Sequence, residues 1–147
     1  MIGDPRTSPR TALRALLVRY VTAIDAQTLE MLRHVFIVDC RVRFGDVAIE
    51  GIDALLIHLE KTLARFRETK HIISDIAGET YGRDLDAPTF RANVTAWHAF
   101  YQDRPSLTLF GFYDDTLVWT DAGWRISDHI GGEYSRAHGT ARPAKPS

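Results

Sequence analysis

The stretch TFRANVTAWHAFYQ, residues 89–102, decides the fold. Apolar and polar residues alternate along it, which is typical of a β-strand with one buried face. The residues that share the apolar face are Phe90, Ala92, Val94, Ala96, His98 and Phe100. Because His98 continues this face, the pattern predicts a histidine on the buried side of a sheet.

Strand-like stretches lie on both sides of this segment. Residues 70–81 come before it, and residues 107–119 and 123–133 follow it. Long strands that follow one another with short turns predict an antiparallel, strongly bent sheet.

The first half of the chain is mainly helical in pattern. Over residues 9–26 the apolar residues recur every three to four positions, as on one face of a helix. Shorter helices are predicted at 29–36 and 52–66, with a strand over 40–44 between them. Helices first and strands afterwards predict an α+β domain, in which helices pack on one face of a curved sheet.

At 147 residues a single domain is expected, and we place it at residues 9–134. Residues 1–8 mix Gly, Asp, Pro and Ser, and we expect a flexible terminus there. Residues 135–147 hold no large apolar side chain and predict a disordered basic tail.

Composition excludes several functional classes. The chain has 18 Lys plus Arg, 19 Asp plus Glu and a formal net charge of −1. This balance argues against a nucleic-acid partner, because phosphate binding needs a concentrated basic surface. No apolar run approaches the ~18 residues that cross a bilayer, and a single cysteine excludes an internal disulfide. We therefore expect a cytoplasmic protein with no membrane partner.

Three side chains stand out as candidates for chemistry. Asp25 continues the apolar stripe of the first helix, where a carboxylate is costly unless it is paired or opens onto a wet cavity. His98 lies on the buried face of its strand, while alternation does not decide the direction of His71. Taken singly, each has a structural explanation. Asp25 could be solvated at the helix end, His98 could be a core histidine bonded to a backbone carbonyl, and His71 could be a structural residue of its strand.

Together, Asp25, His71 and His98 could form an acid/base set. The carboxylate would fix the imidazole tautomer, and the imidazole would move a proton near neutral pH. Two histidines and one aspartate could instead bind a metal, but no HxD or HxxxH spacing preorganises such ligands. The chain also lacks GxGxxG, GxxxxGK[ST], GxSxG and CxxC motifs. We therefore expect neither a metal nor a cofactor.

Other residues are candidates for contact with a substrate. Tyr20 lies on the apolar face of the first helix, and Tyr113 and Asp115 are the polar members of an apolar strand face. The apolar residues that we expect to line the pocket are Phe44, Val94, Phe100 and Leu109. The histidines without a predicted role are His34 and His58 on helix surfaces, His129 on the last strand and His138 in the tail.

The order of these elements and several segments resemble the nuclear transport factor 2-like superfamily, in the SnoaL-like branch that includes scytalone dehydratase. The segments that carry the resemblance are LVRYVTAIDAQTLEMLRHVF (17–36), DCRVRFG (39–45), GIDALLIHLEK (51–61), ETKHIISDI (68–76) and YDDTLVWTDAGWRISD (113–128). The resemblance implies a cone-shaped, curved, mixed or antiparallel sheet wrapped around the N-terminal helices, with a deep pocket at its open end.

The resemblance also implies site residues. Asp25, His71 and His98 match the Asp and the two His that line the pocket of scytalone dehydratase-like enzymes, and Tyr113 and Asp115 match a polar pair on the next strand. Two tyrosines of that enzyme are replaced, by Ile24 and Phe44. Bile-acid dehydratase-like proteins, which share a tyrosine at the position of Tyr20, and hexachlorocyclohexane dehydrochlorinase-like proteins are also similar. Ketosteroid isomerase is less similar, because Phe44 stands where it has an acidic base.

These observations favour a cofactor-independent lyase, of the dehydratase type, that acts on a small apolar or cyclic substrate. His71 would act as base and be oriented by Asp25, His98 would position or protonate the departing hydroxyl, and Tyr20 or Tyr113 would stabilise an oxyanion. Two alternatives stay open: a non-catalytic ligand-binding or assembly module, and an isomerase or polyketide cyclase.

We also expect a homo-oligomer. Apolar residues on the outer sheet face, Ile72, Ile76 and Trp97, predict an interface, and the family resemblance implies a dimer or trimer.

Overall fold

The computed structural model describes residues 7–77 and 87–139. Its helices are α1 (Pro9–Ala26), a 3-10 helix (Leu29–His34) and α2 (Ile52–Leu63). Its strands are β1 (Phe36–Phe44), β2 (Val47–Glu50), β3 (Phe66–Ala77), β4 (Thr89–Phe100), β5 (Leu107–Thr120) and β6 (Gly123–His138).

The six strands form one curved sheet in the order β2-β1-β6-β5-β4-β3. Neighbouring strands are antiparallel except β1 and β6, which pair in parallel. N-terminal helices and a curved, unclosed mixed sheet confirm the predicted α+β class.

Helix α1 packs against β3 and β6. The buried residues of α1 are Leu13, Leu16, Leu17, Tyr20, Val21, Ala23 and Ile24. Each such leucine stabilises the fold by roughly 1.5–3 kcal/mol relative to an exposed one. Cys40 of β1 is fully buried in the same core, so burial raises the pKa of its thiol to about 11.

Helix α1 ends in a left-handed turn at Gln27, whose φ is 56°. The Gln27 N–H donates to the carbonyl of Ile24 (3.1 Å), and the Thr28 N–H donates to that of Ala23 (2.9 Å). These two bonds satisfy carbonyls that the last turn would leave open. Asp25 therefore stays in the final turn of the helix, where its side chain reaches β3.

Strand β3 contains a bulge at Asp75, which has a positive φ of 43°. The pairing of β3 with β4 shifts between Ser74 and Ile76, and one extra residue moves the following side chains to the other face of a sheet. As a result Ile76 is 2% exposed, while Ile72 is 63% exposed. The prediction that Ile76 belongs to an outer apolar face is therefore wrong, and self-association stays a prediction.

Several element boundaries differ from expectation, and β2 was not predicted. Phe36 and Phe66 begin strands instead of ending helices, and β6 continues to His138. Residues 135–138 were predicted to belong to a disordered tail, but β5 pairs with them. The predictions for residues 1–6, 78–81 and 140–147 fall outside the described residues. Within the described ranges, no helix is long and apolar enough to cross a membrane.

Strands β5 and β6 approach each other closely at Gly111. A Cβ atom at Gly111 would lie 2.2 Å from the carbonyl oxygen of Gly132, whereas one at Gly132 would meet the tip of the Phe112 ring.

We predict that Gly111→Ala lowers the free energy of unfolding by about 1–3 kcal/mol in urea titrations, because backbone must move to accommodate the methyl group. Gly132→Ala is the matched control and should cost less, since a side-chain ring can rotate away. Equal losses in the two variants would contradict this packing.

Candidate active site

A cavity of about 350 Å³ lies between the helices and the sheet. Its volume falls within the range of small-molecule binding sites. The predicted site residues that line it are Tyr20, Phe44, His71, Val94, His98, Leu109 and Tyr113. Asp25 is not among the lining residues, because its carboxylate contacts β3 beside His71.

The Asp25 carboxylate accepts three hydrogen bonds from β3. Thr69 Oγ1 donates to Oδ1 at 2.9 Å, the backbone N–H of His71 donates to Oδ2 at 2.9 Å, and His71 Nδ1 lies 2.7 Å from Oδ1. The side chains of His71 and Asp25 are 8% and 16% exposed. These three hydrogen bonds fix the orientation of the Asp25 carboxylate relative to the His71 ring.

The protonation state of this pair follows from its contacts. Burial raises the pKa of Asp25, but the hydrogen bonds from His71 and Thr69 and the field of the imidazole outweigh burial and lower the pKa overall. Asp25 is therefore ionised at neutral pH and can only accept hydrogen bonds. The Nδ1 atom of His71 must then carry the proton, which leaves the Nε2 atom of the neutral ring as an acceptor.

His98 lies next to His71 on the neighbouring strand. The register pairs Thr69 with His98, and His71 follows Thr69 by two residues on the same face of β3. The two imidazole rings are 5.8 Å apart and nearly perpendicular.

The same environment keeps His98 neutral. Its Nδ1 atom is 3.2 Å from the carbonyl oxygen of Leu107, to which it donates. Burial lowers the pKa of His98, and the nearby His71 lowers it further, against the opposing effect of the Leu107 carbonyl. The Nε2 atom of His98 is therefore an acceptor at neutral pH.

Two phenols lie in the same cavity wall. The rings of Tyr20 and Tyr113 are 5.6 Å apart in an edge-to-face contact, and the two residues are 1% and 7% exposed. Burial raises the pKa of both hydroxyls, and neighbouring negative charge from Asp115 adds to the effect. Both hydroxyls therefore remain protonated donors.

Asp115 requires a correction, because it does not line the cavity. It lies directly opposite His129 in the β5–β6 register, and its Oδ1 atom is bonded to His129 Nδ1. Both side chains are fully buried, and burial raises the pKa of Asp115 in spite of His129. The rings around His129 are Tyr20, Phe36, Phe44 and Tyr113, at centroid distances of 4.5–5.8 Å.

Phe100 is also displaced from the predicted lining. It lies at the end of β4, where its ring packs 5.2 Å from that of Phe66 and the Arg104 guanidinium stacks 4.1 Å above it. The strand alternation predicted the correct face for Phe100. The residue lies too far along β4, however, to reach the cavity.

Sequence reasoning missed His58 and His129. His58 was predicted to lie on a helix surface, yet it lines the cavity. Its position beside the apolar Leu59, one helical turn before Thr62, was the signal in the sequence that it faces inward. For His129, the only signal in the sequence was the alternation that places it on the inner face of its strand. Its pairing with Asp115 depends on the β5–β6 register, which the sequence does not reveal.

The described residues contain no group of three His, Cys, Asp or Glu side chains arranged to hold a metal ion. Asp25 uses both carboxylate oxygens for β3 donors, and His71 uses Nδ1 for Asp25. The metal triad considered from the sequence has therefore no support in the geometry.

Comparison with known proteins identifies the family. The family model of the SnoaL-like domain matches residues 5–129. The chain belongs to this family, which lies within the nuclear transport factor 2-like superfamily.

Individual relatives are consistent with this assignment. An uncharacterized protein of Mycobacterium tuberculosis is 29% identical over 129 residues, which are 86% of each chain. The crystal structure of a candidate scytalone dehydratase from Novosphingobium aromaticivorans is 27% identical, with a TM-score of 0.77 over 92% of this chain and 91% of that one. A hexachlorocyclohexane dehydrochlorinase from Novosphingobium barchaimii is 14% identical, with a TM-score of 0.77 over 91% and 94%, and shows the shared fold.

The buried Asp115–His129 pair generates a stability prediction. We expect His129→Phe to lower the free energy of unfolding by about 3–5 kcal/mol, because it leaves a carboxylate buried without its partner. The double variant Asp115→Leu/His129→Phe should recover most of this loss, since it removes both polar groups. Urea unfolding measures both effects.

The exposed pair of Glu30 and Arg33 is the matched control, because solvent screens it. Glu30→Gln should leave stability unchanged. A double variant no more stable than His129→Phe alone would show that the pair is not the source of the loss.

Proposed function

We propose that this protein is a cofactor-independent lyase that eliminates water from a small apolar or cyclic substrate. The observation that carries the proposal is the pair of Asp25 and His71 at the wall of a largely apolar cavity. The Asp25 carboxylate fixes Nδ1 of His71 as the protonated nitrogen, so Nε2 is the atom available to a substrate.

In the proposed reaction, His71 Nε2 removes a proton from the carbon next to a substrate carbonyl. The electrons of that C–H bond form a carbon–carbon double bond as the neighbouring C–O bond breaks. The imidazolium then transfers the proton to the departing oxygen, which leaves as water. Asp25 stabilises the imidazolium between these steps, as a carboxylate does when it is hydrogen-bonded to a general base.

His98 is assigned a positioning role. Because its pKa is lowered and Nδ1 is engaged by Leu107, its neutral Nε2 can accept a hydrogen bond from the substrate hydroxyl. Of the two roles considered from the sequence, positioning therefore fits better than protonation of the leaving group.

Tyr20 and Tyr113 are assigned to the substrate carbonyl. Their hydroxyls remain protonated and could donate to the oxygen as negative charge develops on it. Donors already in place in a dry site stabilise such charge more than water does.

One structural neighbour supports the reaction class. It is a candidate scytalone dehydratase and is 27% identical to this chain. This chain has Ile24 and Phe44 in place of two tyrosines implied by the scytalone dehydratase resemblance, and both line the cavity. We therefore propose a less polar substrate than scytalone.

The test uses 3-hydroxy-1-tetralone, a small cyclic β-hydroxy ketone whose dehydration gives 1-naphthol. We predict that the wild-type protein accelerates naphthol formation. His71→Gln and Asp25→Asn should reduce kcat by ~10²–10⁴-fold, the contribution typical of a general base and its orientation. Naphthol fluorescence follows the rate, and His34→Gln, at an exposed histidine, is the matched control.

Two outcomes would contradict the proposal: no acceleration by the wild-type protein, or full activity in His71→Gln. Loss of unfolding stability in Asp25→Asn without any catalytic effect would favour the binding or assembly module instead. Chromatography that finds a rearranged isomer of the tetralone in place of naphthol would favour the isomerase or cyclase.

A further inference from the structure

Helix α2 contributes a second polar pair to the cavity wall. His58 and Thr62 both line the cavity, one helical turn apart. The His58 ring stacks on Phe44 at 5.9 Å with an interplanar angle of 16°, and its Nε2 atom lies 3.4 Å from Thr62 Oγ1. The elimination mechanism uses neither residue.

Packing alone does not account for this pair. The other α2 residues that line the cavity, Leu59 and Leu63, are apolar and buried, while Ile57 is 55% exposed on the solvent side. An apolar side chain of α2 therefore faces water, while two polar side chains of the same helix face the cavity beside Leu59 and Leu63. Both side chains are partly exposed at the cavity wall, where polar groups can hydrogen-bond a ligand that enters the cavity.

The pair can bind either a hydroxyl or a carbonyl. If His58 is protonated at Nδ1, that N–H is a free donor and the Thr62 oxygen a free acceptor. If His58 is protonated at Nε2, the ring donates to Thr62, whose own hydroxyl hydrogen is then free to donate. Each tautomer leaves a donor and an acceptor for a ligand.

The charges around the cavity favour an uncharged ligand. None of the described lining residues is lysine or arginine, so no cation is placed to bind a carboxylate or a phosphate. Glu133 lines the cavity but is held by Arg136 through two hydrogen bonds of 2.7 and 2.9 Å. The ionised Asp25 beside His71 further disfavours an anion.

Aromatic side chains in the cavity wall favour a flat ligand. The aromatic residues that line the cavity include Tyr20, Phe44, Phe66 and Tyr113. A planar aromatic ring can pack edge-to-face or offset-stacked against such side chains.

We propose that His58 and Thr62 form a second polar subsite, and that the ligand is an uncharged planar ring compound with a second hydroxyl or carbonyl. This inference rests on the proposed function for the reacting end of the ligand. The subsite binds the second polar group and thereby selects polyfunctional rings over rings with one polar group.

The test compares 2-naphthol with naphthalene-2,6-diol, neither of which can undergo the elimination. We predict that the wild-type protein binds the diol about three- to tenfold more tightly, the effect of one additional neutral hydrogen bond. Thr62→Val and His58→Phe should bring the two Kd values within twofold of each other by weakening the diol only. Intrinsic fluorescence titration gives both constants.

Two variants serve as controls. Thr62→Ser keeps the hydroxyl and should keep the preference, and Lys61→Ala changes the exposed side of the same helix. The proposal is overturned by equal affinities in the wild-type protein, by a preference that survives both Thr62→Val and His58→Phe, or by binding of neither compound. Tighter binding of 6-hydroxy-2-naphthoate than of the diol would overturn the preference for an uncharged ligand.

The result is independent of turnover. His71→Gln should retain the preference for the diol, because the subsite lies on α2. In the wild-type protein, a preference for the diol together with no elimination of water from the tetralone would refute the proposed reaction and leave the subsite intact.

Discussion

The hydrogen bonds between Asp25 and β3 connect the fold to the site. One carboxylate at the end of α1 accepts from Thr69, from the His71 backbone and from the His71 ring. The same bonds therefore position the end of the helix on the edge strand of the sheet and select the imidazole tautomer. The left-handed turn at Gln27 ends the helix two residues later, which keeps the carboxylate within reach of β3.

The sequence predicted the parts of the structure that depend on local periodicity. Helix α1 begins and ends where the apolar spacing predicted, and the alternation along β4 correctly placed His98 on the buried face. Asp25 was recognisable because it occupies an apolar position of its helix. A carboxylate there requires donors, and the nearest strand provides them.

The remaining features depend on tertiary contacts that periodicity does not determine. The bulge at Asp75 reverses the facing of Ile76, and the partner of His129 depends on the β5–β6 register, which pairs it with Asp115. The place of His58 depends on how α2 is rotated over the sheet. For the same reason, two aspartate–histidine pairs of similar composition differ in environment: one borders the cavity and the other is enclosed by aromatic rings.

Nitrogen-15 NMR of the His71 imidazole reports the tautomer and needs no substrate. We predict that, in the neutral ring, Nδ1 carries the proton and Nε2 does not, and that Asp25→Ala abolishes this preference. A neutral His71 protonated at Nε2 in the wild-type protein would contradict the account, since the nitrogen facing a substrate would then have no free electron pair to accept a proton.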